Sequence, residues 1–332
     1  MQDFGQLGRI EAIRSLFEGC GFRPFEGGGF AVSAGCRVAT ASRLMLEGID
    51  FDLVYFPLKH LGYKCVAAVT GELYAALASP RTLSVKLGLS AKLDFASVKE
   101  LWSGVCAAAT EFGYGSLSLD LQPSQNGLSI AVSAAGEAPE AERPAPASKD
   151  LICVSGSLGA AYLGLQVLER GKSAFEGGKQ SQEELERYRM LVAAYLKPEL
   201  PSGLLGQLAE AGIVPSAAYL VDRGLADALM RLRRDTGLGA KVYADRMPFE
   251  GGSFELGKQL DIDPVSAAMN GGEDYRLLLT VPILEFEKFR HDFQTFDIIG
   301  HLALADVGAV LVTPDGLEHR VTAPGWPEED IR

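Results

Sequence analysis

Apolar residues recur at i, i+3, i+4 and i+7 through Val98, Leu101, Trp102, Val105, Cys106, Ala109 and Phe112, which predicts the best-defined helix of the chain. Asp94 is positioned to cap its start, with Ser97 close behind, and Gly113 to stop it. A similar period predicts a short helix over 9–17, ended by Gly19 and Gly21, and a longer one over 61–77, with Pro80 beyond it. Pro24 to Gly29, ending in a glycine triplet, reads as a loop. Residues 83–89 alternate as a half-buried strand does, with Ser84 and Lys86 on one face. Further strands are predicted over 30–32, 37–46, 116–121 and 128–134, the last two joined by a Pro-Ser-Gln-Asn-Gly turn.

The second half opens with a buried-looking strand over 151–154, a Ser-Gly-Ser-Leu-Gly turn and a helix over about 160–170. Helices follow over 181–196 and 204–211, then a strand over 217–221. A helix over 224–236 has Leu225, Leu229 and Leu232 as its core face. A strand over 240–244, helices within 254–269, a strand after Tyr275, a helix over 284–292 and a terminal pair of strands complete the chain. The pattern predicts an α+β protein of two α+β domains, 1–136 and 151–332, joined by a Pro- and Ala-rich charged linker over 137–150. The second domain is expected to be an α+β sandwich. No internal repeat is visible.

Composition narrows the classes of partner. The 332 residues include 31 Lys and Arg against 43 Asp and Glu, a net charge of -12 that offers no global attraction to nucleic acid or to an acidic membrane. No apolar run is long enough to cross a bilayer. Cys20, Cys36, Cys65, Cys106 and Cys153 are odd in number and lack a CxxC pair, so buried thiols in a reducing, cytoplasmic compartment are expected. The 4 histidines are dispersed and give no zinc spacing.

Asn270 to Leu279, NGGEDYRLLL, is the most informative stretch. A glycine pair permits positive φ and close backbone approach, and two acids are presented at the mouth of a strand. They can meet a ligand or metal, or simply face solvent on a turn. The SGSLG turn at 155–159 can present a helix N-terminus to an anion, or be no more than a tight strand–helix connection. Gly171-Lys172-Ser173 imitates the end of a phosphate-binding loop, but it follows a helix and lacks the first glycine, so that reading is rejected.

Taken together, EGIDFDL (47–53), KDLICVSGSLG (149–159), the segment before Gly224-Leu225-Ala226, GGEDYRLLL (271–279) and Gly325-Trp326 resemble thiamine-monophosphate kinase. That family belongs to the aminoimidazole-ribonucleotide-synthetase-like superfamily. The resemblance is collinear over nearly the whole chain. It implies an N-terminal α+β domain whose mixed or antiparallel sheet forms a homodimer, a C-terminal α+β domain, and ATP with several magnesium ions in an interdomain cleft.

Against that pattern most metal-binding aspartates are replaced. Gly27, Gly28 and Gly29 fall on the family's Gly-Asp-Asp run, Arg43 on the Asp of a Thr-Asp strand, Ala160 on the Asp after Gly-Ser-Leu-Gly. Leu220 and Arg223 fall on the acids of Asp-Val-Ser-Asp-Gly, with Asp222 at a nucleotide-contacting serine. Glu72 and Asp120 are the retained candidates for metal, Asp120 also for nucleotide. Glu273 and Trp326 match thiamine-contacting positions, and Asp50 replaces a histidine of the family there. Arg143 and Phe112 match nucleotide-contacting positions. The alternatives are a solvated linker charge for Arg143, helix core for Phe112 and C-terminal packing for Trp326.

The resemblance therefore implies either an active ATP-dependent kinase making thiamine diphosphate, or a pseudokinase that keeps the dimeric scaffold and a cleft for a phosphorylated small molecule. In the second case Arg43 and Arg223 supply directly the charge that magnesium supplied. Those arginines could equally pair with Glu72, Asp120 or Asp222. With the acids lost, ATP binding is expected to be weak and insensitive to magnesium.

Overall fold

The computed structural model describes residues 8–24, 29–177 and 182–327. The chain folds as two compact units, Met1–Ala141 with Lys172–Gly178, and Glu142–Gly171 with Lys179–Arg332. Both are α+β, as the sequence pattern predicts.

In the first unit, helix α1 (Arg9–Phe17) precedes strand β1 (Cys36–Leu46). Helix α2 (Leu58–Ala75), strand β2 (Ser79–Ser90), helix α3 (Phe95–Glu111) and strands β3 (Ser116–Ser124) and β4 (Ser129–Pro139) follow. Among the described residues they form a four-stranded sheet in the order β1-β4-β2-β3, parallel only between β2 and β3. The two long helices cross with their backbones in contact. A Cβ on Gly62 would fall 2.0 Å from the Leu101 carbonyl oxygen, and one on Gly104 would fall 1.9 Å from that of Lys59. Only glycine permits this approach. Leu61, Val66, Leu101 and Val105 of the helices and Leu83, Val85, Leu87, Ile130 and Val132 of the strands are all buried.

Strand alternation gives the sheet a buried and an open face. Ser42, Ser133, Ser84 and Ser118 stand opposite one another across all four strands, and the next row reads Leu44, Ala131, Lys86 and Asp120. These rows face away from the helices, and a cavity of about 560 Å³ lies over the serine row, lined also by Thr40 and Thr82. Leu44 is 57% exposed there.

The second unit begins with strand β5 (Leu151–Ser155), helix α4 (Ala160–Gly177, counted with the first unit from Lys172 on), helices α5 (Gln182–Arg187), α6 (Arg189–Leu196) and α7 (Leu204–Ala211), and strand β6 (Ala217–Val221). Helix α8 (Leu225–Thr236), strand β7 (Gly239–Tyr243), helices α9 (Ser253–Leu260) and α10 (Pro264–Asn270) and strand β8 (Arg276–Val281) come next. Helix α11 (Phe286–Asp292) and strands β9 (Phe296–Ala303), β10 (Ala309–Val312) and β11 (Glu318–Arg320) end it. The described strands order as β11-β10-β7-β9-β5-β8-β6. Leu225, Leu229 and Leu232 bury the predicted face of α8 against Val154, Val242 and Ile299.

Three expectations need correction. Residues 30–32 form no strand; Ser33 instead gives its N–H to the Glu137 carboxylate at 2.5 Å, which Arg81 also holds. The helix expected over 61–77 stops at Ala75, because Leu77 takes a left-handed conformation (φ 55°) and Ala78 donates back to Leu73 at 2.8 Å. A non-glycine residue performing that turn leaves no sequence signal. The terminal pair of strands is preceded by β9, which lies between β5 and β7. Gly171-Lys172-Ser173 lies inside α4, in agreement with its rejection as a phosphate loop.

Candidate functional site

The NGGEDY motif forms the connection from α10 into β8. Gly271 abuts Tyr162, where a Cβ would lie 2.5 Å from the tyrosine Cβ, and Gly272 has φ 76°. The glycine pair thus serves one close approach and one left-handed turn. Glu273 continues the turn at φ 67° and donates its N–H to the Asp222 carbonyl at 2.8 Å. Two motifs far apart in sequence are joined by that bond.

Asp274 turns inward. Its carboxylate accepts the Gly159 N–H at 2.8 Å and the Ala161 N–H at 3.1 Å. These are the first amides of α4, so the anion meeting that helix N-terminus is the protein's own side chain. Of the two readings of SGSLG, the tight strand–helix connection is the one observed. Burial pushes the Asp274 carboxyl up to about 6, against the two N–H bonds and Arg276, which favour the ionised form. Arg276 fastens the same loop by donating to the Ser157 carbonyl at 3.2 Å and to that of Glu199 at 3.0 Å.

Around Asp222 the structure assembles a charged cluster. Asp222 is buried at the end of β6, with Arg231 at 3.5 Å and Arg223 at 4.0 Å. Arg231 also meets Asp227 at 3.0 Å and donates to the Leu220 carbonyl. Asp227 in turn accepts the Trp326 indole N–H at 2.9 Å, and the Arg234 guanidinium lies 5.5 Å from the Trp326 ring. Burial pushes the Tyr219 phenol up to about 12, Asp235 adds to the rise, and Arg231 and Arg143 oppose it. Beside the cluster lies a cavity of about 560 Å³ lined by Trp326, Asn270, Met230, Arg233 and Arg320. An aromatic face with guanidinium groups nearby suits a flat ring carrying an anionic group.

Asp222, Arg223, Glu273 and Trp326 are thus gathered in the second unit, to which Arg143 also belongs. The first-unit candidates are not gathered. Arg43 stands opposite Val132 in a row facing the helices, whereas Asp120 is on the open face, ion-paired with Arg9 at 3.0 Å. Glu72 belongs to α2, in the layer covering the other face from Asp120. Asp50 accepts the Leu46 N–H at 2.7 Å and closes its own turn. Phe112 is 4% exposed and packs between the Tyr63 and Tyr74 rings, at 5.8 and 6.3 Å, which is the helix-core alternative. Gly27 and Gly28 lie outside the described residues.

A magnesium cluster requires hard oxygen ligands converging on one point. Among the described residues, no three His, Cys, Asp or Glu side chains stand together so as to hold a metal. Asp120 and Asp222 each carry an arginine instead. The described residues do not fit that group.

Sequence reading missed Asp227 and Arg231, and it took Asp274 for a turn acid open to ligand, metal or solvent when it caps a helix start from within. The Asp227–Arg231 spacing of i, i+4 on a predicted helix was the available signal for the first two. The inward turn of Asp274 depends on two non-glycine residues at positive φ, Glu273 and Tyr275, which no local pattern announces.

No protein-family model matches the chain. Curated relatives are similar along most of its length. The thiamine-monophosphate kinase of Aquifex aeolicus is 22% identical over 288 residues, 85% of this chain and 87% of that protein. That of Methanopyrus kandleri is 25% identical over 230 residues (68% and 67%), and that of Haemophilus influenzae 29% over 252 residues (74% and 70%). Among solved structures, the Aquifex aeolicus enzyme complexed with AMPPCP and TMP superposes with a TM-score of 0.70 at 20% identity, covering 96% of this chain and 99% of that one. The hydrogenase maturation protein HypE of E. coli gives 0.74 at 16% identity, covering 96% and 98%. In sequence the chain is a relative of the thiamine-monophosphate kinases, and its fold is the α+β fold that they share with HypE.

Proposed function

We propose that this thiamine-monophosphate-kinase-like protein is a pseudokinase: it binds a phosphorylated small molecule but transfers phosphate poorly or not at all. The observation that carries the reading is the pairing of Asp222 with Arg231 and of Asp120 with Arg9. A guanidinium competes with a divalent cation for the acid it holds, more strongly at the buried Asp222 than at the exposed Asp120. The cavity beside Trp326, with Arg233 and Arg320 in its wall, is the ligand site in this reading. Thiamine monophosphate combines a flat ring system with a phosphate and is the first ligand to test, because the relatives carry its name. The solved relative complexed with AMPPCP and TMP makes a nucleotide the second.

The remaining reading is an active kinase, and the similarity to enzymes of that name favours it. One experiment separates the two. Purified protein is incubated with ATP, magnesium and thiamine monophosphate, and thiamine diphosphate is quantified alongside calorimetric binding of thiamine monophosphate. Binding without turnover supports the pseudokinase. Turnover at a rate comparable with a bona fide family member establishes the kinase, and neither binding nor turnover removes both readings.

The protein acts in this reading as a cytoplasmic homodimer. The free cysteines suit a reducing compartment. The open face of the first sheet, with its serine row and exposed Leu44, is the surface through which two copies would pair.

A further inference from the structure

The first unit carries a pair of thiols that the site above does not use. Helix α1 packs on α3 through the Phe17 and Trp102 rings, whose centroids are 5.0 Å apart. On α3, Cys106 follows Trp102 by one turn and lies on the same face. Beyond α1, Glu18 is extended (ψ 119°) and Gly19 left-handed (φ 73°), so the chain turns back and Cys20 donates its backbone N–H to the Phe17 carbonyl at 3.3 Å. Cys20 and Cys106 thus each lie within one turn of one ring of the Phe17–Trp102 contact. Burial, and after it the neighbouring Cys20 thiol, push the Cys106 thiol up. Cys106 is buried, Cys20 is half-buried, and both are free.

We propose that Cys20 and Cys106 are a redox modification site, forming a reversible disulfide that fastens α1 to α3. The oxidant is hydrogen peroxide or an organic hydroperoxide. Cys20, the accessible thiol, reacts first as its thiolate. Its sulfur attacks one peroxide oxygen, the O–O bond breaks, the other oxygen leaves as hydroxide and is protonated to water, and Cys20 becomes a sulfenic acid. The Cys106 sulfur then attacks the Cys20 sulfur. The S–S bond forms, the S–O bond breaks, and the departing hydroxide takes the Cys106 proton as water. Two thiols lose two electrons and two protons, and one hydrogen peroxide becomes two waters. A dithiol reductant reverses the step by exchange.

The other end of α1 is held by the Arg9–Asp120 pair at 3.0 Å. Oxidation would therefore fix a helix that reduction leaves attached through one exposed ion pair and the packing of Ala12, Ile13, Leu16 and Phe17. Arg9 would then stay on Asp120.

The test treats the full-length protein with hydrogen peroxide and maps its peptides under non-reducing conditions. The expected product joins the Cys20 peptide to the Cys106 peptide within one chain, is lighter by two hydrogen atoms, and raises the Tm until dithiothreitol is added. Cys36→Ser should leave it unchanged. Cys20→Ser should abolish it, and Cys106→Ser should leave a Cys20 sulfenic acid that dimedone traps. A link between any other pair, Cys20 oxidised in the wild type without a link, or no oxidation at a peroxide excess that modifies free cysteine would each overturn the proposal.

Discussion

The Asp274 carboxylate takes the Gly159 N–H at 2.8 Å across 115 positions of sequence, and so ties the GGEDY turn to the start of helix α4. Asp274→Ala should leave the Gly159 and Ala161 amides unsatisfied in a buried place and cost about 2–4 kcal/mol in urea unfolding. The pH dependence has a definite sign. The folded carboxyl, at about 6, lies above its ordinary 3.8, so between those values the native state binds more protons than the unfolded one. The stability of the wild type relative to Asp274→Asn should therefore rise as pH falls from 7 towards 4, by about 2 kcal/mol. A difference that stays flat or falls over that range would mean that burial does not govern this carboxyl.

Legibility in the sequence followed locality. Helix α3 and its Asp94 cap, which accepts the Ser97 N–H at 2.8 Å, were readable because period and cap are local. The α+β class followed from the same kind of pattern. The site was readable only as a set of motifs. That Glu273 would bond to Asp222, or that Trp326 would seek Asp227, depends on strand order β5-β8-β6 and on the chain folding back beside α8, neither of which any window of sequence contains. Phe112 shows the converse: its helical spacing already explains it as core, and its packing between Tyr63 and Tyr74 is local enough for the sequence to anticipate.

Arg231 binds two buried carboxylates, so its loss is expected to cost more than an ordinary ion pair. Arg231→Met leaves Asp227 without its guanidinium and Asp222 with only the exposed Arg223 at 4.0 Å, for a cost of about 3 kcal/mol. Adding Asp222→Asn to Arg231→Met should restore part of the loss, since one buried charge is then removed. Additive penalties in chemical denaturation would show that the cluster is not coupled.

The crossing of α2 and α3 predicts opposite signs for two glycine-to-alanine changes. At Gly104 the new methyl would meet the Lys59 carbonyl at 1.9 Å, and the helices would have to separate, at about 3 kcal/mol or more. At Gly206, on α7, nothing lies within 4 Å, and alanine should stabilise by about 0.5–1 kcal/mol through helix propensity. Midpoints of urea unfolding for the two variants test this directly. Similar effects at both positions would contradict the close helix contact.

The open sheet face gives the prediction most directly tied to assembly. A four-stranded sheet covered by helices on one side leaves Ser42, Ser133, Ser84 and Ser118 in a row of small side chains, next to Leu44 and Ala131. Small residues let a second sheet approach closely, and the exposed Leu44 gives apolar area to bury. Beside the row, the Lys86–Asp120 position supplies charges of both signs. Light scattering at micromolar concentration should give twice the chain mass. Ser84→Arg places a long cation in the middle of the row and should convert the dimer to monomer, while far-ultraviolet circular dichroism stays unchanged. Ser103→Arg, on the exposed side of α3, is the control and should remain dimeric. A wild-type monomer, or a Ser84→Arg protein that keeps its dimer mass, would exclude this face as the interface.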